Sequence, residues 1–66
     1  MKITVNGQCR ELNNPTNLKD IVHMFCKDSS RVISEINGEI VKASQWDRTT
    51  VEDGDIIELV SFVGGG

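Results

Sequence analysis

The sequence predicts an α+β domain in which a mixed sheet of four to five strands packs on one helix. Three observations predict it. Alternating apolar runs stand near both ends of the chain, a single stretch between them has helical spacing, and Asn-Gly pairs sit at two places where the alternation reverses. With 66 residues there is room for one small domain and for no large cleft.

The first element is a hairpin over Met1 to Leu12. Ile3 and Val5 alternate with Lys2 and Thr4, Asn6-Gly7 suits a tight two-residue turn, and Gln8 to Leu12 returns. Asn13-Asn14-Pro15 then punctuates the chain. Thr16 or Asn17 caps a helix expected to run to about Lys27, with Asp20 near its positive end. Leu18, Ile21, Val22 and Phe25 fall at i, i+3, i+4 and i+7, so all four are expected on one buried face.

Asp28-Ser29-Ser30 ends the helix, and Val32 to Ile36, Asn37-Gly38 and Glu39 to Val41 read as strand, turn and strand. Ala43 to Thr50 has no sustained period, which suggests a short helical turn around Ser44 to Trp46 anchored by the indole. Glu52 to Asp55 is a turn, and Ile56 to Val63 is the longest strand-like run. A lone helix covers one face of a mixed sheet, and the most apolar strand belongs in its middle beside the first strand. A right-handed crossover through the helix makes that pair parallel. The result is a β-grasp, or ubiquitin-like, arrangement over residues 1–63, with 64–66 as a flexible glycine tail.

Composition excludes several function classes. Seven basic residues against ten acidic give a net charge of −3, and the basic residues do not cluster, which argues against nucleic-acid and anionic-membrane surfaces. No run is long and apolar enough to span a membrane, and no secretory signal is evident, so the expected compartment is the cytoplasm. Cys9, Cys26 and a single His are too few for a disulfide scaffold or a common structural zinc site.

The chain passes from an apolar strand directly into Gly64-Gly65-Gly66. Glycine loses the most conformational freedom on ordering, so such a tail does nothing for the fold. Extended, three residues reach about 10 Å and enter a channel too narrow for any side chain. A carboxylate at that tip is an anion and a poor target for nucleophiles until it is activated. Strand alternation sets Ile57 and Leu59 toward the helix and leaves Val60 and Phe62 on the other face, near the tail, as a docking patch with Val63.

The Asn6-Gly7 hairpin, the Leu18 to Phe25 stripe, Ile36-Asn37-Gly38 before Ile40-Val41, Trp46, Asp53-Gly54-Asp55 and the ending Phe62-Val63-Gly64-Gly65-Gly66 together resemble the sulfur carrier family of thiamine (thiazole) biosynthesis. The resemblance spans nearly the whole chain. It implies that an ATP-using adenylyltransferase converts the Gly66 carboxylate to an acyl-adenylate, and that sulfur from a cysteine desulfurase system turns this into a thiocarboxylate. Thiazole synthase then accepts the sulfur. On this reading Gly64, Gly65 and Gly66 enter partner active sites, and the chain is a protein cosubstrate, monomeric when free. It binds no cofactor or metal of its own.

Other readings predict different chemistry. The small subunit of molybdopterin synthase and carriers for tRNA thiolation share the fold, as do ubiquitin-like modifiers and passive interaction modules. His23 and Cys26 stand three apart on the helix, as in a nucleophilic pair, but no third group orients the imidazole. Glu52, Asp53 and Asp55 lack the spacing of a calcium loop and read as a solvated turn.

Overall fold

Two Asn-Gly reversals organise the sheet. In the computed structural model, which describes residues 1–62, β1 (Lys2–Val5) and β2 (Gln8–Glu11) pair antiparallel across Asn6-Gly7. The φ angles of Asn6 and Gly7 are +49° and +80°. Two successive left-handed residues give the turn whose twist matches the flanking strands.

After Pro15, the two-residue strand β3 (Thr16–Asn17) leads into α1 (Leu18–Phe25). The Asn17 side chain caps the helix, its Oδ1 accepting from the Asp20 N–H at 2.8 Å, and Thr16 Oγ1 donates to the Asp20 carboxylate at 3.3 Å. The helix is shorter than the expected run to Lys27. Cys26 adopts an extended conformation, and its N–H closes on the Val22 carbonyl at 2.8 Å.

That early stop corrects the apolar stripe as well. Leu18, Ile21 and Val22 are fully buried, whereas Phe25 is exposed and half-buried Cys26 packs against the core instead. Phe25, the last residue of the helix, keeps its ring at the surface. There the Arg10 guanidinium lies 5.2 Å from its centroid, a cation–π contact. The expected terminator forms a turn of 3₁₀ helix, Ser29–Arg31, capped by Asp28.

The second half contains β4 (Val32–Ile36), the Asn37-Gly38 turn and β5 (Glu39–Val41). A 3₁₀ helix over Ala43–Arg48, longer than the sequence suggested, leads to β6 (Thr50–Val51) and β7 (Ile56–Ser61). The strand order is β2-β1-β7-β4-β5, with β1 and β7 parallel and the other neighbours antiparallel. The longest strand is thus in the middle beside the first, as its composition requires. β3 and β6 form a separate antiparallel pair that joins the start of the helix to the loop after Trp46.

One face of the sheet and the helix enclose the core. Ile3, Val5, Val32, Ile57 and Leu59 face Leu18, Ile21 and Val22. Each such side chain contributes about 1.5–3 kcal/mol relative to an exposed one. Trp46 closes the side of this core. Its Nε1 donates to Ser34 Oγ at 2.7 Å and to the Val41 carbonyl at 3.0 Å, while Ser34 Oγ donates to that same carbonyl at 3.1 Å. A serine with no exposed surface is tolerable only in such a network, and among the described residues no buried side-chain polar atom lacks a partner.

Candidate functional site

β7 has two different faces. Ile57 and Leu59 enter the core, and Ile56, Glu58 and Val60 alternate with them to project from the uncovered side. Phe62 continues that side beyond the strand, its N–H bonded to the Arg31 carbonyl at 3.0 Å. Val60 is 53% exposed and Phe62 49%. Register brings more apolar side chains to the same side: Ile33 lies opposite Val60, and Ile40 of β5 lies across β4. At 45% and 70% exposed, these two widen the patch. Val63, Gly64, Gly65 and Gly66 lie outside the described residues.

Two side-chain amides hold β7 in place, and neither was evident as such in the sequence. The Asn6 amide imitates a backbone unit, Nδ2 donating to the Leu59 carbonyl at 3.1 Å and Oδ1 accepting from the Leu59 N–H at 2.7 Å. This continues the β1–β7 ladder past the last residue of β1. At the other end of β7, Asn37 Oδ1 accepts from the Ile56 N–H at 3.0 Å, and its Nδ2 donates to the Asp55 carboxylate at 2.9 Å. The Asn of each turn thus supplies both a left-handed backbone and a clamp on the strand that leads to the glycines. An Asn-Gly pair in an apolar alternation signals the turn, but no local pattern signals the clamp.

The acidic turn is a structural element. Asp53 Oδ1 accepts from the Lys2 N–H, and Asp55 Oδ2 accepts from the Glu52 N–H, each at 2.7 Å. Gly54, at φ +88°, lets its own N–H reach the Lys2 carbonyl at 2.7 Å. The carboxylates therefore hold the start of β7 against β1. Among the described residues, no three His, Cys, Asp or Glu side chains converge on a metal-sized site.

His23 and Cys26 line a shallow pocket of about 150 Å³ with Lys27 and Ser29, but no hydrogen bond joins them. Cys9 is exposed on β2 and is likewise a free thiol. The nearby Asp28 carboxyl is held below its ordinary range, chiefly by the hydrogen bond from the Ser30 hydroxyl and then by that from the Ser30 N–H. A depression of about 620 Å³ is an open groove between Glu11–Thr16 and the helix residues Asp20 and Met24. It lies at the end of the sheet where Lys2 pairs with Glu11, opposite the end where Ser61 pairs with Val32. No described helix is long and apolar enough to cross a membrane.

The chain's likeness to known proteins extends over the same architecture. The model of the ThiS family matches residues 3–66. The crystal structure of a thiamine biosynthesis protein (ThiS) from Geobacter metallireducens superposes with a TM-score of 0.84 at 33% identity, covering 100% of both chains. The sulfur carrier protein ThiS of Bacillus subtilis is 35% identical over 49 residues, 74% of each chain. A thiazole synthase of Paramagnetospirillum magneticum is 36% identical over 66 residues, which is 100% of this chain and 20% of that one. The chain thus spans a fifth of the length of that relative.

Proposed function

The chain belongs to the ThiS family, the sulfur carriers of thiamine biosynthesis, and from that membership we propose that it carries sulfur as a thiocarboxylate on Gly66. On this reading the partner enzymes, and not the β-grasp body, supply the base, metal and nucleotide pocket of this chemistry. A carboxylate resists attack because its charge is delocalised over both oxygens, so the partner adenylyltransferase uses ATP to attach a good leaving group. A persulfide sulfur from a cysteine desulfurase system then displaces AMP to give an acyl disulfide, and attack of a second thiol on its S–S bond releases the thiocarboxylate and leaves a disulfide on the donor side. Gly64 and Gly65 give the tip its reach and its narrow cross-section. In this role the chain is a protein cosubstrate, monomeric when free and working in the cytoplasm.

The observation that carries the reading is the family match, which runs through the glycine end. A second supports the acceptor. A segment 36% identical to this whole chain makes up a fifth of the Paramagnetospirillum protein named thiazole synthase. We assign thiazole synthase as the protein that receives the sulfur. We assign docking to the uncovered sheet face beside Val60 and Phe62, together with Val63, next in sequence. Exposed apolar side chains next to a reactive tip give a partner a grip that keeps clear of the reacting group.

Intact-mass measurement after incubation with the adenylyltransferase, ATP and a sulfur donor tests the assignment. The expected product has one oxygen replaced by sulfur, and removal of Gly65 and Gly66 abolishes the change. An unmodified chain under conditions that load a known carrier refutes it.

A further inference from the structure

We propose that the uncovered sheet face recognises a guanidinium group of its docking partner, seated between Glu35 and Glu58. The inference rests on the docking assignment above and adds the chemistry that this face selects. The register of β4 and β7 sets Glu35 directly opposite Glu58, on the same side as the Ile33–Val60 pair one step along. Facing residues on neighbouring strands hold their Cβ atoms about 4.5–5.5 Å apart, and like charges at that separation destabilise a sheet. Neither carboxylate has a hydrogen-bond or ion-pair partner among the described residues.

Among the described residues, neither Lys2 nor Lys42 answers this charge. Lys2 lies opposite Glu11, at the far end of the sheet. Extending the β4–β5 register by one residue sets Lys42 opposite Ile33, and it forms no ion pair with either glutamate. The pair is framed by Ile33, Ile40, Ile56 and Val60, which an interface would dry. In that setting a carboxylate pair without a counter-charge is strongly unfavourable, whereas a cation between the two is favoured and fixes the register of docking.

Guanidinium suits the geometry better than ammonium does. It is planar, presents donors along more than one edge, and is weakly hydrated, so it bonds two facing carboxylates while its stem lies on apolar side chains. A second copy of this chain is a poor occupant, because its net charge of −3 and its own acidic pair oppose the approach.

The test is calorimetric titration of the full chain with its cognate adenylyltransferase at low and high salt. It compares the native chain with the double variant Glu35→Gln, Glu58→Gln and with Val60→Ala. The double variant is expected to bind about tenfold more weakly at low salt, with a flatter salt dependence. Its melting temperature is expected to equal or exceed that of the native chain, because the facing charges are gone. Unchanged affinity and salt dependence in the double variant, with weaker binding by Val60→Ala, overturn the guanidinium site and leave the docking face standing. Full binding by both variants overturns the docking face as well. Dimerisation of the isolated chain, lost in the double variant, assigns the face to a second copy and overturns the proposal.

Discussion

The two faces of the sheet are made from alternate residues of the same strands and obey opposite rules. Toward the helix, Ile3, Val5, Ile57 and Leu59 are buried, and the one polar intruder, Ser34, is fully bonded. On the other face Ile33, Ile40, Ile56 and Val60 remain exposed, and Glu35 faces Glu58 with no ion-pair partner for either among the described residues. A face shaped only for stability would carry cross-strand pairs that attract. The difference teaches that folding is resolved on one side, while the other, to which we assign docking, keeps its apolar and like-charged side chains exposed.

Substitutions at neighbouring positions of β7 probe this contrast most sharply. Ile57→Ala is expected to cost about 2–5 kcal/mol in a denaturant titration, a large part of the stability of so small a domain. Val60→Ala, three residues along on the exposed face, should cost under about 0.5 kcal/mol and weaken adenylyltransferase binding instead. Equal losses of stability at both positions would break the comparison.

Trp46→Phe keeps the ring and removes the donor to Ser34 Oγ and the Val41 carbonyl. It is expected to destabilise by about 1–3 kcal/mol. Asn6→Gly preserves the left-handed turn and deletes only the amide clamp on Leu59. A loss of about 0.5–1.5 kcal/mol is expected, with faster exchange of the Leu59 amide proton as the local readout.

The smallest effect belongs to Asp28, on neither face. Its carboxyl is expected to titrate below the ordinary 3.8 in a pH series followed by NMR. The sign follows from the depressed folded value. The contribution of Asp28 is complete above the unfolded value and disappears as pH falls through the lower, folded one. Ser30→Ala should return the midpoint toward 3.8, because the hydroxyl is the largest cause.

Much of the architecture was legible because local chemistry decides it. Asn-Gly turns define both hairpins, and the alternation of exposed and buried positions from Ile56 to Val60 separates the faces of the central strand. The helix was legible but its end was not. Phe25 continues the apolar spacing, and only tertiary packing brings Cys26 inward in its place. β3 and β6 have two residues each, too few to show a period.

The features around the site are legible to different degrees. The exposure of Val60 and Phe62 follows from alternation alone. The Asn6 and Asn37 clamps, the Ser34–Trp46 bond and the Glu35–Glu58 opposition depend on which residues distant in sequence come to face one another, and no short window encodes that. The role of the glycines came from resemblance to a family, since three glycines in themselves specify no reaction.

Methyl-resolved NMR of the labelled chain, titrated with the unlabelled adenylyltransferase, tests the division between the faces most directly. The methyl signals of Ile33, Ile40, Ile56 and Val60 should shift or broaden, while those of Ile3, Val5, Ile57 and Leu59 hold their positions. Perturbation confined to residues around the groove at Leu12, Pro15 and Met24, with the exposed isoleucines untouched, would contradict the account.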